Sequence, residues 1–209
     1  LFRSRIEWRQ VRIRPWQPID GDPFTDASRT LVAKTEDGPQ WIWSSDEIGD
    51  RQEVILSRRF TTEKESSARM MLSADNFFIA FLDGEPILRG SDWTQIQDHR
   101  FTLSAGEHEC VIRASNESGP AGVAGSLSWA HADGSIERID TDQQWQSRSW
   151  SETPAIVNEG RPYSEDSNWD VKGLDPKPNG PAKVIGATGN PSLPWGNVDR
   201  KSTRLNSSH

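Results

Sequence analysis

Two polar pairs and one tryptophan carry the residue types that recognise a ligand. Asp75 and Asn76 stand in "SADNFF", Asn116 and Glu117 in "ASNESGPAG", and Trp93 in "GSDWTQ". A flat indole face suits the C–H groups of a sugar, while carboxylates and amides exchange hydrogen bonds with its hydroxyls. The same oxygens suit a structural Ca²⁺, a hard cation that takes oxygen ligands. Asp75 and Asn76 also have a plainer role, because short polar side chains fix turn backbone. Trp93 follows Gly90, Ser91 and Asp92, so it lies in a loop or at a strand start. A tryptophan there is either half exposed and available or packed over the end of the fold. Asn116 and Glu117 would complete a site with Asp75 if both loops meet at one end. Asn116-Glu117-Ser118 also spells the glycosylation pattern.

Other chemistry leaves no such mark. Cys110, the single cysteine, sits in "HECVIRA" at strand spacing with His108, Ile112 and Ala114. It reads as a buried structural thiol; a nucleophile needs surroundings that stabilise the thiolate. His99, His108 and His131 fall at no metal-ligand spacing, and haem-attachment, phosphate-loop and nucleophile-elbow motifs are all missing. A glycosidase needs two carboxylates on facing walls of a cleft, and nothing in the pattern marks such a pair. The expectation is a chain without catalysis of its own and without a cofactor, a structural Ca²⁺ apart.

Charge and composition narrow the partners. The 209 residues carry a net charge of −7, which repels phosphate backbones and argues against nucleic acid. The last eleven residues, "DRKSTRLNSSH", match the translation of a common sequencing-adapter read, and we exclude Asp199–His209 from fold reasoning. They hold three basic residues and one acidic, so the remainder has a net charge of −9. The chain begins at Leu1, which suggests an internal piece of a longer gene. Hydrophobic residues are a lean 33%, but ten tryptophans supply large buried areas per residue. No apolar run is long enough to span a membrane.

The elements that must position these residues alternate with a period near two from Gln40 to Arg148, the mark of strands. "QWIW" opens the series. "EVILSRRFTT" places Leu56 and Phe60 on one face, and "ARMMLSA" does the same for Ala68, Met70, Leu72 and Ala74. "NFFIAFL" reads as a buried strand. Asp83-Gly84 supplies the positive φ angles of a type I′ hairpin turn, and "EPILRG" returns from it. Pro86 cannot donate to a ladder, which places that strand near an edge. "RFTL", "HECVIRA" and "GSLSWAHA" follow, a second turn at Asp133-Gly134 leads into "SIERID", and "QQWQSR" closes the set. Trp41, Trp43, Trp129 and Trp145 alternate with polar neighbours and read as core or sheet-face residues. Short strands with regular turn signals and no helical stretch predict an all-β jelly-roll sandwich over residues 40–149. Before it, residues 1–39 are an extension or the end of a preceding domain, with "IEWRQVRIRPW" a further strand candidate. After it, residues 150–198 are rich in Pro and Gly and read as a linker or a strap lying on the sandwich.

The series "WIWSS", "SRRF", "ARMMLSADNFFIAFLDGEPILRG", "LSAGEHECVIRASNESGPAGVAGSLSW", "DGS" and "TDQQWQSR" resembles the galactose-binding-domain-like jelly rolls. These are accessory modules of bacterial glycoside hydrolases, notably rhamnosidase-type enzymes. They also occur in large secreted planctomycete-type proteins with haem-binding or dehydrogenase domains. The resemblance spans Trp41 to Arg148. Three positions depart from its usual pattern: Asp83 replaces the hairpin Asn, Leu56 the first aromatic of an F-x-x-x-F strand, and His108 an Asn. The resemblance implies a non-catalytic, carbohydrate-binding-like module, outside the cytoplasm, with a glycan and the neighbouring domains of the parent chain as partners. The alternative it leaves open is a docking module that binds no sugar, attached to a haem-binding or dehydrogenase-type domain.

Overall fold

The computed structural model describes Phe24 and residues 38–44, 47–150 and 180–195. The candidate strand in the first extension and the adapter-like tail lie outside them. Among the described residues there are twelve strands and no helix. They are β1 (Gln40–Trp43), β2 (Glu53–Thr62), β3 (Ser66–Asp75), β4 (Phe77–Leu82), β5 (Glu85–Gly90) and β6 (Gln97–Leu103). The remainder are β7 (Gly106–Ser115), β8 (Gly122–Ala130), β9 (Ile136–Asp140), β10 (Gln146–Trp150), β11 (Gly180–Pro181) and β12 (Lys183–Ala187).

Two antiparallel sheets stack face to face. One runs β12-β1-β8-β3-β6, with β9 also paired to β8; the other runs β11-β10-β2-β7-β4-β5. The chain crosses between sheets at β1–β2, β2–β3, β3–β4, β5–β6, β6–β7, β7–β8, β9–β10 and β11–β12, so the crossing loops gather at the two ends of the sandwich. The alternation read from the sequence fixes the inward faces. Leu56, Ala68, Met70, Leu72, Ala74, Cys110, Ile112 and Ala114 all lie in the buried core between the sheets, with Phe60 packed against it. Trp43, Trp129 and Trp145 join them. Trp41 belongs instead to a second buried cluster with Ala124 and Trp195.

Turn chemistry matches the residues that carry it. Asp83 and Gly84 hold φ of 51° and 86°, which sets the β4–β5 hairpin. The β8–β9 turn differs, with the left-handed residue being Gly134 at φ 83°. Asp133 instead accepts from Ser135 N and Oγ at 2.9 and 2.6 Å. β5 is an edge strand, as Pro86 requires.

The sheets continue past Ser149. Residues 180–195 contribute β11, paired to β10, and β12, paired to β1. Ala182 enters the main core, and Trp195 is fully buried. This part of the Pro/Gly-rich segment therefore lies on the sandwich as two edge strands. Its short length and Gly content hide that in the sequence, because the ladder partners stand more than thirty residues away for β11 and far more for β12.

Candidate functional site

Segments 47–53, 75–77 and 115–122 meet at one end of the sandwich. Asn76 N donates to Ser115 O at 2.9 Å, and Glu117 N donates to Asn76 Oδ1 at 2.7 Å. Arg51 N donates to Glu117 O at 3.2 Å, and Asn116 N to Gln52 O at 2.8 Å. The Asp75–Asn76 peptide bond, at the crossing from β3 to β4, is cis.

Asp75 is the last residue of β3. Ser73, two residues earlier, shares its outward face. Ser73 Oγ donates to Trp93 O at 2.8 Å, and Asp75 Oδ2 accepts from Trp195 Nε1 at 2.8 Å. One strand face thus holds both tryptophans. Trp195 stacks on Trp41 with ring centroids 4.4 Å apart, and Trp93, half-buried, packs against the same cluster with Ile96, Ile185 and Leu193. Gly122 on β8 makes room for the stack, since a Cβ there would lie 2.9 Å from Trp41 and 3.0 Å from Trp195. Trp41 Nε1 is buried and has no hydrogen-bond partner among the described residues.

Only 8% of Asp75 is exposed. Burial pushes its carboxyl above the usual carboxylate range; the Trp195 N–H pulls it down, and the Glu117 charge raises it further. Among the described residues, only Oδ2 of Asp75 is hydrogen-bonded, which leaves Oδ1 as an acceptor. Glu117 is exposed beside it. The Asp92 carboxylate shapes the Trp93 loop by accepting from Thr94 N, Thr94 Oγ1 and Gln95 Nε2 at 2.8, 2.6 and 3.0 Å.

Four of the five residues expected to bind a ligand are therefore brought to one corner: Asp75, Asn76, Glu117 and Trp93. Asn116 is turned inward. Its Nδ2 donates to Gly49 O and Gly119 O at 3.1 and 3.2 Å, so it holds loop backbone together. That burial also removes the Asn116 amide from the surface a glycosylation acceptor needs. Among the described residues no three His, Cys, Asp or Glu side chains converge as metal ligands would. Cys110 is buried, and burial first, then the Asp83 and Glu109 charges, push its thiol up to about 12. The sequence reading missed Trp195. Its signal was a lone aromatic in "SLPWG", inside a segment otherwise poor in large apolar residues.

The fold is an antiparallel two-sheet β-sandwich, shared with solved structures of a lectin and of α-L-rhamnosidases. Solved structures with this architecture include a lectin from Pleurotus ostreatus in complex with GalNAc, 24% identical with a TM-score of 0.57 over 77% of this chain and 44% of that one. An α-L-rhamnosidase from Streptomyces avermitilis complexed with L-rhamnose is 22% identical, TM-score 0.58, over 80% of this chain and 16% of that one. The α-L-rhamnosidase from Dictyoglumus thermophilum is 13% identical, TM-score 0.54, over 76% and 21%. This chain spans less than half the length of each of these proteins. No protein-family model and no curated protein matches the sequence.

Proposed function

We propose that this chain is a non-catalytic carbohydrate-binding module of a larger secreted bacterial protein, with a glycoside hydrolase as the parent type. The observation that carries this reading is the pairing, on one outward face of β3, of a half-buried Trp93 with an Asp75 whose Oδ1 is open to a hydroxyl donor. The presence of this fold in a GalNAc-bound lectin and in rhamnosidases supports it. Each sugar hydrogen bond contributes only about 0.5–1.5 kcal/mol net, because both sides give up water. Affinity then rests on the indole stack and on multivalency with a neighbouring domain.

Affinity gel electrophoresis on a panel of plant and algal polysaccharides tests this. The intact chain should be retarded on at least one gel, and Trp93→Ala should abolish retardation while the Tm stays within a few degrees. A chain that migrates freely on every gel would overturn the proposal. One observation favours a second reading, a docking module that binds no sugar. The Trp41–Trp195 stack on the outer face is already closed by residues of the 180–195 segment, as a structural surface would be. Unfolding by Trp93→Ala, with no retardation of the intact chain, is the result that reading expects.

A further inference from the structure

We propose that His108 is a pH-sensitive clamp, which in its protonated form ties the tip of the β4–β5 hairpin to the β6–β7 turn and loosens as the pH rises. His108 lies at the end of the sandwich opposite the candidate site and is 5% exposed. Its Nδ1 stands 2.7 Å from Asp83 Oδ2, and its Nε2 stands 2.9 Å from Ser104 O. A neutral imidazole has one donor and one acceptor nitrogen. Here each nitrogen faces an acceptor oxygen, and only the imidazolium donates to both. Thr62 Oγ1 lies 3.2 Å from Nε2 but donates to the same Ser104 carbonyl at 2.6 Å. A neutral ring keeps only one of the two bonds: with the proton on Nδ1 the Thr62 hydroxyl turns toward Nε2 and the Ser104 carbonyl faces a lone pair, and with the proton on Nε2 a lone pair faces the Asp83 carboxylate.

The clamp reaches the hairpin through Asp83. Its Oδ1 accepts from Glu109 N at 2.8 Å, and its N–H donates to Glu109 O at 2.9 Å. One carboxylate therefore joins the turn, the β7 backbone and the imidazole. The other charged groups nearby are engaged or turned away. Glu107 and Glu109 flank His108 on β7 and alternate to the outer face, where Glu109 accepts from Arg59 Nε at 3.0 Å. Arg58, on the inward row of β2, donates to Gln144 O at 2.8 Å. Glu85 begins β5 beyond the turn and is exposed. The Phe60 ring, 5.2 Å away on β2, and the neutral Cys110 thiol complete the surroundings.

Burial alone lowers the affinity of His108 for its proton, but the Asp83 hydrogen bond, the Ser104 carbonyl and the Asp83 charge outweigh it. The net direction is upward from the ordinary value of about 6.5. A group raised in the folded state stabilises fully below its unfolded value and loses that contribution as the pH rises through the folded one. Stability should therefore fall as the pH rises from the ordinary histidine value through the raised folded one.

Two measurements on the full chain test the clamp. NMR titration should show the His108 imidazole gaining its proton above the ordinary histidine value, and Asp83→Asn should move that midpoint down. Urea denaturation between about pH 5.5 and 9 should show the midpoint of the wild type falling with pH relative to His108→Asn, which has no titrating ring. A His108 that titrates at or below the ordinary value, or parallel pH profiles for the two proteins, would overturn it. Should His108→Asn fail to fold, the titrations of the wild type and Asp83→Asn decide alone.

Discussion

Burial makes ionisation of Asp75 unfavourable. Its folded carboxyl is raised, so the charged form costs stability above the carboxylate range, and that cost fades as the pH falls through the folded value. Asp75→Asn removes the charge and keeps an acceptor for Trp195 Nε1. We expect its Tm at pH 7 to equal or exceed that of the wild type. Asp75→Ala leaves a buried indole N–H without its acceptor and should lose about 1–3 kcal/mol. Thermal melts of both variants check this, and equal losses in the two would refute the role given to the charge. If Asp75 serves a ligand, the same Asp75→Asn change should weaken binding as it relieves the fold, the trade expected of a functional carboxylate. At this scale the sequence showed which residues could act. It showed Asp83 and His108 as separate departures from the resembled pattern, whereas in the fold they are hydrogen-bonded partners.

β8 is the central element of its sheet, with β3 along one side and β1 and β9 sharing the other. Thr141 closes the junction of β1 and β9: its Oγ1 donates to Gln40 O at 2.7 Å and accepts from Gly125 N at 3.0 Å. Gly125 is required for the approach of β3. A Cβ there would lie 2.5 Å from the Met71 carbonyl and 2.7 Å from Leu72 Cδ1. Backbone cannot yield as a flexible side chain can, so Gly125→Ala should destabilise by about 1–3 kcal/mol through overpacking. Gly49 has open space around it, and Gly49→Ala should stay within about 0.5 kcal/mol of the wild type. Urea unfolding of the pair separates a packing requirement from a general dislike of replacing glycine.

On the scale of the whole molecule, the sandwich needs residues that local pattern assigns to a linker. A chain ending at Ser149 lacks β11, β12 and Trp195. It would expose Trp41, leave Asp75 without the Trp195 N–H, and open the edges of both sheets. Loss of one buried Trp side chain alone costs about 3–5 kcal/mol, so this shortened chain should melt well below one ending at Val198, if it folds at all. Calorimetry of the two chains measures the difference, and equal melting temperatures would show that the segment adds nothing. Removing only Asp199–His209 should leave the Tm unchanged, because an eleven-residue tail with one Leu has little to bury.

By itself the sequence determined the strands from Gln40 to Arg148, their inward faces, the β4–β5 hairpin and the edge position of β5. Each is written locally: a period of two sorts side chains between faces, Asp-Gly fixes a turn, and Pro86 cannot pair. The corner that gathers Asp75, Asn76, Glu117 and Trp93 was legible only as residue types, since their meeting depends on which loops end up adjacent. Tertiary structure alone decided that Asn116 turns inward and that Trp195 crosses 120 positions of chain to reach Asp75. It also decided that "KVIGA" pairs with "QWIW". Short edge strands have too few residues to show a period. Their partners are chosen by burial and open ladder groups across the folded molecule, which no local window contains.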